Sequence, residues 1–151
     1  MILAIDPGPE QSGWVLYDEA ARSIHDSGVM PNAALIEHPN IVEDDMTPLA
    51  IEMIASYGMA VGKDVFETCV WIGRFMQAAK AANPDRAVRL VYRKDVKMHL
   101  CGTPLAKDTN IRQALIDAIG PQGTKKAPGP THGVKSHAWA ALGVAYTAAG
   151  S

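Results

Sequence analysis

Residues 1 to 18 read MILAIDPGPEQSGWVLYD, and the order of features in this stretch decides the fold. Ile2 to Ile5 is a short apolar run that stops at Asp6-Pro7-Gly8, and Gly13 to Tyr17 is a second run after a turn rich in Gly, Pro and Ser. Two such runs around such a turn predict a β-hairpin. Asp6 then falls at the C-terminal end of the first strand, where the Pro and Gly that follow force the chain round. Taken alone, an aspartate there also suits a turn in which the carboxylate bonds its own backbone.

Working outward, Ser23 to Val29 predicts a third strand. Pro31 to Thr47 mixes Asn, Pro and acids with one short apolar group at Ala33 to Ile36, and supports at most a short helix in a long connection. Pro48 to Ile54, PLAIEMI, is nearly continuous apolar sequence and suits a strand covered on both faces. Glu52 is out of place there. An unpaired charge inside an apolar strand costs several kcal/mol, so Glu52 needs a cation, a proton or a wet sheet end, unless it belongs to a structural ion pair.

From Asp64 to Ala82 the apolar positions Val65, Cys69, Ile72, Phe75, Met76 and Ala79 recur at spacings of three and four. This predicts an amphipathic helix capped by Asp64 and stopped by Asn83-Pro84. Ala87 to Tyr92 reads as a strand, and Asp95 to Leu100 and Lys107 to Ile119 as helices, the second ending at Gly120-Pro121. Residues 120 to 133, GPQGTKKAPGPTHG, hold four Gly, three Pro and the pair Lys125 and Lys126, which predicts a mobile basic loop. Val134 to Ala148 predicts a helix whose small residues allow close approach to a sheet. Antiparallel strands followed by alternating helices and strands make an α/β domain with a mixed five-stranded sheet flanked by helices.

With 151 residues, 48% of them apolar, the chain fits one domain over residues 1–151. It lacks a run of about 18 apolar residues and has no basic region ahead of its first short apolar stretch, so neither a membrane span nor a secretory signal is expected. The expected location is the cytoplasm. Cys69 and Cys101 lie far apart without a C-x-x-C spacing, which suits two small apolar residues in a reducing compartment. Charge is divided unevenly: residues 1–60 hold ten acids against Arg22 alone, and residues 61–151 hold thirteen Lys and Arg against six acids. Two solvated faces of opposite sign would explain this. So would a carboxylate cluster beside a basic rim, the arrangement that metal-assisted chemistry on a polyanion needs.

Two carboxylates from adjacent strands, joined by a ligand from the last helix, would bind a hard divalent cation. His137, at the start of the last predicted helix, is the candidate third ligand, although a lone helix histidine is more often a satisfied core or surface residue. The ordered motifs I-L-A-I-D-P-G, L-A-I-E-M-I and H-A-W-A-A-L-G-V-A, spread over essentially the whole chain, resemble those of the RuvC family of Holliday junction resolvases. That family lies within the ribonuclease H-like superfamily, and the compactness looks like its phage-encoded branch.

The resemblance implies metal ligands at Asp6, Glu52 and His137, with one or two ions of Mg²⁺ or Mn²⁺ per site as the cofactor. The family's fourth acid falls at Ala140, which leaves one ligand missing and makes Asp95 or Asp108 candidate recruits. It also implies lysines near the scissile phosphate. Lys97 and Lys107 match that stretch, Lys107 being the candidate to steady the phosphorane charge, while Arg86, Arg89, Arg93 and Lys94 crowd the same region. Tyr57 is the aromatic that would stack on bases, two positions later than in the family pattern. Two symmetric nicks imply a homodimer, which agrees with the apolar surplus of Met53, Val65, Phe66, Cys69, Val70 and the rest of the long helix.

The function so implied is a metal-dependent endonuclease that nicks four-way junctions and other branched DNA by in-line attack of activated water. Two other readings stay open. One is a branched-DNA-binding protein whose catalysis went with the fourth acid, and the other is a ribonuclease H-like enzyme acting on RNA:DNA hybrid. A sugar-kinase or actin relative is a poor fit, because Asp6-Pro7-Gly8 lacks a glycine-rich phosphate loop.

Overall fold

The computed structural model describes residues 1–43 and 46–150. β1 (Ile2–Asp6) and β2 (Gln11–Asp18) pair antiparallel with Asp6 opposite Gly13, and β3 (Ser23–Pro31) continues the antiparallel set. On its other side β1 pairs parallel with β4 (Leu49–Met53), which pairs parallel with β5 (Val88–Tyr92). The sheet order is β3-β2-β1-β4-β5. The expected mixed five-stranded sheet is therefore present, and its acid-bearing strands β1 and β4 are neighbours.

The two-residue period of β1 divides its side chains between two cores. Leu3 and Ile5 join Leu49, Ile51, Ile72, Phe75 and Ala79 on one face, under α3 (Lys63–Ala82). Ile2 and Ala4 join Ala50, Ala138, Ala141, Leu142 and Ala145 on the other, under α6 (Ala138–Ala149). Small side chains let α6 lie close against the sheet. Phe75 is fully buried, and removing its ring would cost about 3–5 kcal/mol.

Several local expectations are corrected. Gly62, not Asp64, caps α3, and Asp64 sits in the first turn, where its charge favours the helix N-terminus. The buried stripe runs through Thr68, Ile72, Phe75 and Ala79, because Thr68 turns its hydroxyl back to donate to the Asp64 carbonyl at 2.7 Å. Cys69 and Met76 are only half-buried.

The connection before β4 holds two single-turn helices, α1 (Asn32–Leu35) and α2 (Pro39–Val42); Asp44 and Asp45 lie outside the described residues. Arg86 is wholly buried beneath this connection, donating to the carbonyls of Thr47 at 2.7 Å, Ile41 at 3.0 Å and Asn40. It is a clasp for the backbone and not a phosphate contact.

α4 (Arg93–Cys101) starts two residues earlier than expected, and α5 (Asp108–Ile119) follows. Residues 120–133 are a folded arm, in place of the expected mobile loop. Gly123 bridges to Pro128, Gly129 N–H donates to the Gln122 carbonyl at 2.9 Å, and buried Thr131 donates its hydroxyl to the Gly120 carbonyl at 2.8 Å. The turn residues that signal looseness in the sequence instead close short hydrogen-bonded turns. α6 starts at Ala138 instead of Val134, because Ser136 is left-handed (φ 49°) and leaves His137 at the N-cap. Among the described residues, no helix is long and apolar enough to cross a membrane.

Candidate metal and nucleic-acid site

The turn after β1 is fixed by a buried polar network. Ser12 Oγ accepts from Gly8 N–H at 3.2 Å and donates to Asn32 Oδ1 at 2.5 Å, while Asn32 Nδ2 donates to the Gly8 carbonyl at 2.8 Å. Ser12 and Asn32 are both buried, so this network holds the turn without help from Asp6. The Asp6 carboxylate is thereby left for other partners. The turn reading of Asp6 does not describe this structure.

Across the ladder, Gly13 supplies room. A Cβ at Gly13 would lie 2.7 Å from His137 Cβ and closer still to its carbonyl, so only glycine lets the α6 N-terminus settle onto the strand opposite Asp6. His137 Nδ1 then comes to 3.0 Å from Asp6 Oδ2. The imidazole is 64% exposed, while Asp6 is 16% exposed.

Glu52, 14% exposed at the end of β4, is close enough to Asp6 for each carboxyl to shift the titration of the other. Burial pushes the Asp6 carboxyl above its ordinary range, opposed by Glu52 and the charge of Arg93. Burial and then the neighbouring Asp6 charge push Glu52 up to about 8, again opposed by Arg93. Both carboxyls are therefore easier to protonate than free ones, Glu52 the more so, and the titration belongs to the pair. Two hard carboxylates that take up protons this readily are a donor set suited to Mg²⁺ or Mn²⁺, which would take a proton's place. Among the described residues, no group of three His, Cys, Asp or Glu side chains converges as a metal site.

Arg93 is the cation already in place. Its Nε lies 3.9 Å from Glu52 Oε1 and its Nη2 donates to Asp108 Oδ1, while its Nη1 is buried with no acceptor. The sequence ranks Arg93 with the phosphate contacts, and nothing in it signals a position between two acids. Asp108, one of the two candidate recruits, acts on both Asp6 and Glu52; Asp95 is an exposed residue of α4 that does neither.

Tyr57, 69% exposed with φ 49°, lines a cleft of about 220 Å³ together with Asp6, Glu52 and Arg93. On the other side of Arg93, a cleft of about 240 Å³ includes Asp108, Arg112, Ser136, His137 and Ala140. Arg112, Ser136 and Trp139 also line a groove of about 620 Å³ with Lys125, His132 and Lys135. Arg93 is thus common to the first two clefts, and Arg112, Ser136 and Trp139 to the last two, so basic residues line the surface between the acids and the arm. Arg112, whose guanidinium lies 4.8 Å from the Trp139 ring centroid, does not stand out in the sequence; the periodicity of α5 gives no hint that it lines both clefts. Lys107 is the exposed N-cap of α5, next to Asp108, and Lys94 and Lys97 stand on α4, exposed and half-buried. Lys126 is exposed in the arm beside Lys125.

No protein-family model and no curated protein matches the chain. Solved structures do. One is the Thermus thermophilus RuvC structure, with a TM-score of 0.65 at 20% identity over 97% of this chain and 91% of that one. Another is T. thermophilus RuvC in complex with a Holliday junction substrate, with a TM-score of 0.67 at 21% identity over 97% of this chain and 90% of that one. The chain has the RuvC fold. Within the RuvC fold it carries Asp6 and Glu52 at the ends of the central parallel pair, with His137 reaching Asp6 from the N-cap of α6. Ala140, one turn later, lines the cleft beside Arg93 without offering a donor.

Proposed function

We propose that this chain is a divalent-metal-dependent endonuclease that nicks branched DNA, four-way junctions foremost, as a homodimer. The observation that carries this is the pair of largely buried carboxylates at neighbouring strand ends, in a cleft they share with Arg93 and with further basic residues close by, in a chain of RuvC fold. A divalent cation, when bound, would activate water for in-line attack and neutralise charge on the phosphodiester. Asp6 and Glu52 would hold it, and His137 would orient Asp6 and complete the site. Arg112, Lys125, Lys135 and, across α4 and α5, Lys94, Lys97 and Lys107 would track the DNA backbone. Tyr57, at the mouth of the acidic cleft, offers a ring on which an unpaired base can stack.

Dimerisation rests on α3, where Phe66 and Val70 are 62% and 61% exposed and follow the exposed Tyr57 and Met59. Paired nicks need two sites, and a symmetric pair of such faces brings them together. A second reading, a branched-DNA-binding protein with little or no catalysis, is favoured by one observation: no three-ligand cluster is present among the described residues.

Cleavage of a labelled four-way junction, beside linear duplex and an RNA:DNA hybrid, separates the readings. Wild type in Mg²⁺ and in Mn²⁺ should give paired nicks near the branch point that Asp6→Asn abolishes. Tight junction binding without nicks in either metal would establish the binding protein, and preferential cutting of the hybrid would move the substrate to RNA:DNA.

A further inference from the structure

The acids and Arg93 form a closed charge arrangement. Arg93 spans Glu52 at 3.9 Å and Asp108 by direct contact, so both of these acids already have a cation. The cleft beyond Arg93 is lined by a second guanidinium, Arg112, and by Ser136, His137 and Ala140, with Asp108 the one carboxylate among its described residues. That side repels a metal ion and suits an anion. Arg93 Nη1 is buried with no acceptor among the described residues, so the guanidinium keeps one donor unused.

We infer that the site takes a single divalent cation, on the Asp6–Glu52 side, and that Arg93, which lines the neighbouring cleft with Arg112, is its fixed second positive charge beside the substrate phosphate. Three carboxylates, Asp6, Glu52 and Asp108, then face one divalent ion and one guanidinium, which balances three negative charges with three positive. A second metal would have to displace Arg93 from Glu52 or Asp108, and Ala140 provides nothing to hold it. This rests on the nuclease reading for its substrate, but the ion count can be measured without it.

The test is titration of the full chain with Mn²⁺, followed by calorimetry and by electron paramagnetic resonance of free Mn²⁺, in wild type, Arg93→Gln and Arg93→Lys. Wild type should bind one Mn²⁺ per chain, and Asp6→Asn should lose it. Arg93→Gln should bind a second ion or bind the first at least fivefold more tightly, because two carboxylates lose their partner. Arg93→Lys should keep the one-ion count while binding junction DNA more weakly, because it loses the forked donor. Two ions in wild type, no Mn²⁺ binding at all, or an Arg93→Gln titration identical to wild type would each overturn the inference. Should Arg93→Gln not fold, the wild-type count and Arg93→Lys still decide it. A parallel junction-cutting assay keeps the two ideas apart: one bound ion without cutting overturns the nuclease reading alone, and cutting with two bound ions overturns the single-ion site alone.

Discussion

Asp6 and Glu52 end the neighbouring parallel strands β1 and β4, and burial raises both carboxyls. Folding raises both carboxyls, so between their ordinary values and about 8 the folded chain binds more protons than the unfolded chain. Stability of the metal-free protein must therefore fall as pH rises through that window, by up to about 1.4 kcal/mol per pH unit from Glu52. Thermal melts in chelator should show Tm several degrees lower at pH 8.5 than at pH 6, and Glu52→Gln should flatten the slope. Mn²⁺ should restore more stability at pH 8.5 than at pH 6.

Gly13 has no room for a side chain beneath His137. Gly13→Ala should lift the 136–138 segment off the strand, costing about 1–3 kcal/mol of stability and lowering junction cutting by at least tenfold as the imidazole leaves Asp6. Urea melts and initial cutting rates read the two effects. A variant with wild-type rates would show that His137 is not needed at Asp6.

His137 also bears on metal choice. Imidazole suits Mn²⁺ better than Mg²⁺, so activity with Mn²⁺ should at least equal that with Mg²⁺, and His137→Asp should move the preference toward Mg²⁺. A clear wild-type preference for Mg²⁺ over a full titration would count against His137 as a ligand.

The basic residues lining these clefts predict a salt signature. Removing Arg112, Lys125 or Lys135 singly should weaken binding to branched DNA of any sequence and reduce the slope of log affinity against log salt by about 0.9 for each phosphate that is no longer neutralised. Fluorescence anisotropy at four or five salt concentrations suffices.

Arg86 should behave in the opposite way. Arg86→Met leaves the carbonyls of Thr47 and Ile41 without their donor and should cost about 3 kcal/mol or more in a urea melt. The salt slope of DNA binding should not change.

Much of this is legible in the sequence, and the limits have physical causes. The hairpin, the acid at each strand end and the long helix are local signals, carried by apolar periodicity and by turn residues within a few positions. Arg86 and Arg93 defeat that kind of reading because a basic residue looks the same in sequence whether it faces water, a row of carbonyls or a pair of acids. The arm over 120–133 misleads for a related reason, since Gly and Pro mark tight turns as readily as loose ones and only the burial of Thr131 and Val134 separates the two. His137 sits at the N-cap and not inside the helix, because the left-handed turn at Ser136 has no glycine to announce it.

β1 sends alternate side chains into two separate cores and ends in Asp6. The proposed metal site consequently sits on a seam, with α3 bracing one side of its strand and α6 the other. Loosening either layer would shift the carboxylate before the sheet came apart, so catalytic rate should be a finer gauge of this molecule's integrity than its melting point. Surface changes far from the acids, on the outer side of either helix, would then register first as slower cutting.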